Sequence, residues 1–301
     1  MPKELIKKID QLKKKHNAVI LAHNYQLAEV QDIADYSGDS LELSRIAAKS
    51  DKKLIVFCGV YFMAETASIL CPDKTILIPD PLAGCPMANM ITAEDVRVLK
   101  KKHPKATVVG YVNTPAEVKA ELDICCTSTN AADIISKVKS EEIIFVPDQH
   151  LTDYVSKKTG KRLISWEGYC PTHVKILPED IIKKIRLHPG AKVMVHPECR
   201  AEIIALADEV LSTGRMCAHV KKSHDKEFIV GTENGMIHRL QKDNPDKKFY
   251  PASDNAICPN MKRTTLEKVL WSLEELKTEV RVSDEIRKKS LRAINKMVEL
   301  S

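Results

Sequence analysis

Short runs of apolar residues recur along the chain at a nearly constant interval, with charged segments of helical period between them. The first run of each copy begins at residues 18, 106 and 191, at steps of 88 and 85 residues. A second apolar run follows in each copy at residues 54–57, 143–146 and 228–230. A regular internal period of this length indicates that one structural unit is repeated three times.

The apolar runs are continuous rather than alternating, which is typical of parallel strands that helices cover on both faces. Strands that alternate with helical segments predict βαβ units. The pattern therefore predicts an α/β fold, a pseudo-threefold triplication of a three-layer βαβ unit with a parallel sheet. We expect the three units to surround a shared centre.

Charged residues at helical spacing predict further helices outside the apolar runs. They lie near residues 89–102, 178–187, 264–277 and 284–300. Pro178 suits the first position of its helix, and Asp284 is the expected cap of the last one.

The repeat also predicts how the chain divides into domains. Residues 1–102 hold the first repeat with an N-terminal helix, residues 103–188 the second, and residues 189–301 the third with the C-terminal helices. Each unit falls within the usual size range of a domain. No segment rich in Pro, Gly or Ser separates them, so we expect the units to pack closely.

Composition narrows the function classes. The 301 residues carry a net charge of +6, but the basic residues are scattered and only 5% are aromatic, which argues against nucleic-acid binding. No apolar run reaches transmembrane length and the N-terminus lacks a signal-peptide core, so we expect a cytoplasmic protein without membrane contact. Nine cysteines, an odd number, favour ligation or catalysis over a disulfide framework.

Three of these cysteines precede a proline at the same place in each repeat. They are Cys85, Cys170 and Cys258. Thiolates from three repeats can converge on one axis, and soft sulfur ligands select iron–sulfur clusters, zinc or copper(I). Three ligands on a four-iron cluster leave one iron open to substrate, although the spacing also allows a catalytic zinc or no metal. Five other cysteines are expected to be structural: Cys58, Cys71, Cys125, Cys126 and Cys217.

Polar residues follow the first strand of each repeat, where ligands bind in parallel sheets. These residues include His23, Tyr111 and His196. Glu198 is a candidate general base, and Tyr25 or Tyr111 is a candidate general acid.

Hydroxyl residues lie in the turn that comes next in each repeat: Ser40, Ser128, Ser212 and Thr213. They either cap helices or bind an anion together with free N–H groups. Residue chemistry alone thus indicates a threefold α/β enzyme with an open cluster on its axis and acid and base groups nearby. Dehydration of a small anionic metabolite is the reaction class that this arrangement favours.

Nine segments together resemble the quinolinate synthase family over nearly the full length of the chain. They are residues 20–26, 31–35, 38–40, 85–89, 111–113, 196–199, 212–214, 231–233 and 260–262. The resemblance implies a triplicated α/β fold around one [4Fe-4S] cluster per chain, with Cys85, Cys170 and Cys258 as its ligands and an open iron as Lewis acid. It also implies an oxygen-sensitive enzyme of de novo NAD biosynthesis. Such an enzyme condenses iminosuccinate (iminoaspartate) with dihydroxyacetone phosphate to quinolinate, phosphate and two waters.

The same resemblance implies roles for individual residues. The implied substrate-binding residues are His23, Ser40, Tyr111, Val112, Asn113, Ser128, His173, His196, Pro197, Glu198, Ser212 and Thr213. The implied catalytic residues are Tyr25, Tyr111, His196 and Glu198, and His173 is expected near the phosphate. Only Cys258 stands where some bacterial members carry CxxCxxC, so the sequence is similar to the shorter type of the family. A transient contact with the enzyme that produces iminosuccinate is left open.

Two other functions stay open at this point. An iron–sulfur hydro-lyase would act on another small dicarboxylate, and a labile cluster would serve an iron or oxygen sensor. A sensor needs an output surface such as a DNA-reading helix, and the evenly spread charge offers none. Formation of quinolinate from the two substrates discriminates among these functions.

Overall fold

Three parallel sheets of the same topology form the body of the molecule. The computed structural model describes residues 2–300, and each repeat contributes one four-stranded sheet. The first sheet contains β1 (Ala18–His23), β2 (Tyr36–Gly38), β3 (Leu54–Cys58) and β4 (Thr75–Leu77). The second contains β5 (Thr107–Tyr111), β6 (Ile124–Cys126), β7 (Ile143–Val146) and β8 (Ile164–Ser165). The third contains β9 (Lys192–Val195), β10 (Glu209–Val210), β11 (Glu227–Gly231) and β12 (Lys248–Pro251).

Strand order and register repeat as well. The orders are β2-β1-β3-β4, β6-β5-β7-β8 and β10-β9-β11-β12, with all pairs within the sheets parallel. The two central strands of each sheet share one register, seen in the partners Ile20 and Val56, Val108 and Ile144, and Val193 and Ile229. The predicted α/β triplication is therefore confirmed.

Helices occupy the segments between the strands. They are α1 (Pro2–Lys15), α2 (Ala28–Ile33), α3 (Ser40–Lys49), α4 (Tyr61–Leu70), α5 (Ala93–Lys102), α6 (Ala116–Lys119), α7 (Ala131–Lys137), α8 (Gln149–Thr159), α9 (Pro178–Leu187), α10 (Ala201–Ile204), α11 (Thr213–Lys222), α12 (Met236–Asp243), α13 (Leu266–Glu275) and α14 (Asp284–Leu300). No helix within residues 2–300 is long and apolar enough to cross a membrane.

The predicted helices form, with three differences at their starts. The helix expected from residue 264 begins at Leu266, because the side chain of Thr265 caps it there. The helix expected from residue 89 begins at Ala93, because Thr92 and Asp95 form a capping box there. Asp284 is the first residue inside α14 rather than the cap before it. Pro178 occupies the start of α9 as expected, since its missing N–H has no partner in the first helical turn.

Successive strand residues pack on opposite faces of a sheet, and helices cover both faces. In β1, Val19 and Leu21 belong to the core cluster that contains residues of α3 and α4. Ile20 and Ala22 belong to a separate cluster that contains residues of α1 and α13. This arrangement gives the predicted three layers and explains why the strand is apolar throughout.

The helix after each of the equivalent Cys-Pro pairs, which begin at residues 85, 170 and 258, packs on the next repeat. Helix α5 contacts α6 of the second repeat, α9 contacts β11 of the third, and α13 contacts α1 and β3 of the first. The last contact closes the three units into a ring, and this explains why no linker separates them. The division at residues 102/103 and 188/189 stays a prediction, and residues 1 and 301 lie outside the described residues.

Candidate active site

The three Cys-Pro turns have the same local geometry. A 3₁₀ turn begins three residues after each cysteine, at Ala88–Met90, His173–Lys175 and Met261–Arg263. The carbonyl of each cysteine accepts a hydrogen bond from the N–H four residues on, at 3.2, 3.2 and 3.3 Å for Cys85, Cys170 and Cys258. The structure brings all three side chains to one cavity that residues of all three repeats line.

Burial keeps the thiols of Cys85 and Cys170 protonated in the absence of a metal. It raises the pKa of Cys85 to about 12 and the pKa of Cys170 well above the ordinary value. The Nδ1 atom of His173 lies 3.1 Å from the sulfur of Cys170, and a carboxylate oxygen of Glu198 completes a group of donors within 4.8 Å of one another. A metal that binds here must displace thiol protons, so its affinity should rise with pH.

Equivalent polar residues surround the cavity at the carboxyl ends of the first strands. His23 ends β1, Tyr111 ends β5, and His196 follows β9. All three line the cavity and are at most 5% exposed. Two residues further along each repeat, Tyr25, Asn113 and Glu198 also line it. The common sheet topology therefore places the predicted acid and base residues together.

Both histidines at the strand ends are neutral and have a defined tautomer. The Nδ1 atom of His23 accepts a hydrogen bond from the N–H of Tyr25 at 3.1 Å, and that of His196 accepts one from Glu198 at 3.3 Å. Burial lowers the pKa of each ring to about 3. Because Nδ1 accepts, the proton resides on Nε2, which leaves each ring with an N–H donor.

Glu198 is the central carboxylate of the cavity. Its Oε1 accepts a hydrogen bond from the hydroxyl of Tyr111 at 2.6 Å, and its Oε2 lies 2.9 Å from Nδ1 of His173. Burial alone would raise its pKa, but His173 and the hydrogen bonds from His173 and Tyr111 hold that pKa below the usual range. Burial and Glu198 together raise the pKa of Tyr111 well above 10. The pair is therefore a carboxylate beside a protonated phenol.

Tyr25 is linked to Glu198 through Thr232 and His173. The sequence analysis did not single out Thr232. The hydroxyl of Tyr25 lies 2.5 Å from Oγ1 of Thr232, which lies 2.9 Å from Nε2 of His173. Burial and Glu198 raise the pKa of Tyr25 well above its ordinary value. Thr232 lay within a segment that carried the family resemblance, but a lone threonine after a strand gave no chemical signal of its own.

The hydroxyl residues divide into two groups. Ser40, Ser128 and Thr213 line the cavity, whereas Ser212 does not. Ser212 caps α11 by accepting a hydrogen bond from the N–H of Arg215, so the capping interpretation holds for this residue. In α3 the cap is Asp39, and Ser40 is the first helical residue. Two further residues from the predicted contact set, Val112 and Pro197, do not line the cavity.

The remaining six cysteines do not line the cavity. Cys58, Cys71, Cys125, Cys126 and Cys199 are buried and Cys217 is partly buried, and all nine cysteines of the chain are free thiols. Burial raises the pKa of Cys58 and Cys199. The five buried cysteines belong to hydrophobic core clusters. Core packing accounts for them.

The sequence analysis also missed an ion pair at the cavity, formed by Glu233 and Lys262. Glu233 lines the cavity and is almost completely buried, and it pairs with Lys262, 29 residues later. A carboxylate and an ammonium group so far apart in sequence give no local pattern. Only the fold brings them together.

A ring of three α/β units with one thiol from each in a shared, acid- and base-lined cavity defines a class of triplicated enzyme. The family model described as "Quinolinate synthetase A protein" matches residues 7–299. A quinolinate synthase of Dehalococcoides mccartyi (strain CBDB1) is 57% identical over 299 residues, which cover 99% of each chain. The quinolinate synthase of Thermodesulfovibrio yellowstonii is 52% identical over 301 residues, and that of Methanosarcina barkeri (strain Fusaro) is 52% identical over 295. These alignments cover 100% and 98% of this chain and 99% and 97% of the relatives. The chain belongs to the quinolinate synthase family.

Proposed function

We propose that this chain is a quinolinate synthase of de novo NAD biosynthesis. It condenses iminosuccinate with dihydroxyacetone phosphate and releases quinolinate, phosphate and two waters. The observation that carries the proposal is the single buried cavity in which thiols from all three repeats meet Glu198 and protonated tyrosines. Family membership over nearly the whole chain supports the same reaction.

We propose a [4Fe-4S] cluster held by Cys85, Cys170 and Cys258 as the cofactor. The donor set fits this group because three soft sulfur ligands from three repeats line one buried cavity. When bound through three cysteines, such a cluster supplies a Lewis-acidic iron that has one position free of protein sulfur. The protonated thiols of Cys85 and Cys170 would lose their protons on binding.

The remaining cavity residues bind and orient the two anionic substrates. The Nε2–H groups of His23 and His196 are neutral donors for carboxylate oxygens. The hydroxyls of Ser40 and Thr213 lie in the first turns of α3 and α11, where helix dipoles favour anions. Burial excludes bulk water and strengthens each of these contacts.

Proton transfer falls to Glu198 and the tyrosines. Glu198 is ionised and accepts a proton at a carboxylate oxygen during isomerisation of the condensed intermediate. Tyr25 and Tyr111 keep their protons at neutral pH and donate them from their hydroxyls to a leaving oxygen. His173 lies between Cys170 and Thr232 and adds a polar contact for the phosphate.

The experiment measures quinolinate formed from the two substrates by anaerobically purified protein. We expect Glu198→Gln to lower the rate by on the order of a thousandfold, because the amide cannot accept a proton, while the iron content stays unchanged. The matched control is Glu202→Gln, an exposed carboxylate four residues later, which should keep full activity. Iron-loaded protein that forms no quinolinate, or Glu198→Gln protein with full activity, would refute the proposal.

The cellular setting is part of the same proposal. Nine free cysteines are typical of a reducing compartment, so we place the enzyme in the cytoplasm. A transient contact with the enzyme that produces iminosuccinate fits this setting, because an imine of this kind hydrolyses in water. Transfer that outpaces hydrolysis in a mixture of the two enzymes would support the contact.

A further inference from the structure

Glu233 is a buried carboxylate with a complete set of donors. Its Oε1 accepts a hydrogen bond from the backbone N–H of Cys258 at 3.0 Å, and its Oε2 accepts one from Gly235 at 2.7 Å. The ammonium group of Lys262 lies 2.9 Å from Oε1 and 3.0 Å from Oε2. Two backbone N–H groups and one lysine therefore satisfy both oxygens of this buried side chain.

Lys262 also contacts the first repeat. Its Nζ donates to the backbone carbonyl of Tyr25 at 2.6 Å. The side chain of Tyr25 is held by Thr232, the residue before Glu233. Thr232 and Glu233, which directly follow β11, act together with Lys262. They hold the backbone of Cys258 and both the carbonyl and the hydroxyl of Tyr25.

Gly235 provides the space for this ion pair. A methyl group at Gly235 would lie 2.8 Å from Oε2 of Glu233, 2.8 Å from Nζ of Lys262 and 2.9 Å from the backbone carbonyl oxygen of Gln26. Its φ of −60° is an ordinary value that any residue adopts, so conformational freedom does not explain the glycine. Space for the two charged groups and for the carbonyl next to Tyr25 is the physical reason for it.

The other two repeats lack this pair. The steps of the repeat place Val60 and Asp148 at the positions equivalent to Glu233, and Asn89 and Val174 four residues after their cysteines where Lys262 follows Cys258. Within residues 2–300, the backbone N–H groups of Cys85 and Cys170 have no carboxylate acceptor. The ion pair is thus specific to the Cys258 turn and its contact with Tyr25.

We propose that Glu233 and Lys262 are a positioning pair that holds Cys258 and Tyr25 in a fixed relation to each other. This inference rests on the proposed function, because it treats Cys258 as a ligand and Tyr25 as an acid. Residues that orient a ligand from behind contribute tenfold to a hundredfold to metal affinity. Glu233 and Lys262 act through the groups they hold.

The test compares loss of iron from anaerobically loaded proteins to excess EDTA, together with their melting temperatures. We expect Lys262→Met to release iron about tenfold faster than the parent chain, since it frees Tyr25 and leaves Glu233 without its cation. Gly235→Ala should act in the same direction by separating the two groups. Lys262→Arg should restore slow release, because its guanidinium can donate to both the carboxylate and the carbonyl.

Lys247→Met is the matched control. Lys247 is a buried lysine, and its Nζ also donates to backbone carbonyls, those of Val220 and Ser223 at 2.6 and 2.7 Å, but none of these residues lines the cavity. It should lower the melting temperature without changing iron release. Equal release rates in the parent, Lys262→Met and Gly235→Ala would overturn the positioning pair while the proposed function stands. A parent chain that holds no iron would overturn both.

Discussion

The first and third repeats present different chemistry to the cavity from equivalent positions. In the first repeat, Val60, Phe62 and Met63 form an apolar wall at the start of α4. In the third repeat, Glu233 takes the place of Val60 and Gly235 that of Phe62, each 173 residues later. The repeated backbone fixes where a position lies relative to the cavity. The residue at that position decides whether it becomes an apolar wall or an ion pair.

The ends of the first strands share one contact between the two repeats but differ in the residue two positions further on. His23 and His196 occupy equivalent positions and make the same contact, with Nδ1 accepting a backbone N–H two residues on. The residues that donate these N–H groups, Tyr25 and Glu198, have opposite roles in the proposed mechanism. Tyr25 keeps its proton at neutral pH, whereas Glu198 is ionised and accepts one. The threefold frame thus brings an acid and a base to one cavity.

Placing the third repeat's carboxylate in the first repeat should have the largest effect on stability. Val60 is 2% exposed, and the residue four positions after Cys85 is Asn89 rather than a lysine. Val60→Glu should therefore lower the free energy of unfolding by about 4 kcal/mol, because the buried charge has no partner. Urea unfolding with a linear extrapolation measures this.

The double variant Val60→Glu/Asn89→Lys adds the missing cation at the position equivalent to Lys262. It should recover about 1.5 kcal/mol, as expected for a hydrogen bond to a charged group. A single variant as stable as the parent chain would contradict the burial of position 60. A double variant with no recovery would show that the two turns are not geometrically equivalent.

Removing the apolar wall should have the next largest effect. Phe62 is 4% exposed, and the Nζ of the buried Lys119 lies 5.3 Å from its ring centre. Phe62→Ala should lower the free energy of unfolding by about 3 kcal/mol and raise KM, because it opens the cavity. Phe249→Ala, which removes a buried ring outside the cavity, should cost similar stability and leave KM unchanged. Equal KM changes in both variants would argue against the wall.

The hydroxyls of the two repeats should give the smallest effects, and the effects should differ in kind. Thr213 accepts a hydrogen bond from the buried side chain of Asn24 at 3.2 Å, so Thr213→Val should cost about 1 kcal/mol of stability. The hydroxyl of Ser40 has no hydrogen-bond partner within residues 2–300. Ser40→Ala should keep the stability but raise KM about tenfold, through a lost contact to a charged substrate. An unchanged KM for Ser40→Ala would remove Ser40 from the substrate site.

Sequence patterns predicted the parts of the molecule that depend on repetition. The apolar runs located the two central strands of each sheet, and Cys85, Cys170 and Cys258 were found because the period singled them out. The short strands β2, β6 and β10 were not predicted. They have two or three residues each, too few to show a period.

The parts that depend on contacts between repeats could not be predicted. The contact of α13 with β3 closes the ring across more than 200 residues, and no local pattern marks it. Thr232 and Lys262 reach Tyr25 only because the third sheet lies beside the first. The sequence shows which residue stands at each strand end, but it does not show which residue of another repeat contacts it.

The most direct test of the central claim is the iron and acid-labile sulfide bound per chain after anaerobic purification. We predict about four of each in the parent chain. Single variants Cys85→Ala, Cys170→Ala and Cys258→Ala should each lose most of both, because each repeat supplies one ligand. Cys126→Ala, which removes a buried thiol outside the cavity, should keep them. Full iron and sulfide in any of the three cavity variants, or zinc in their place, would contradict a cluster held by three convergent thiolates.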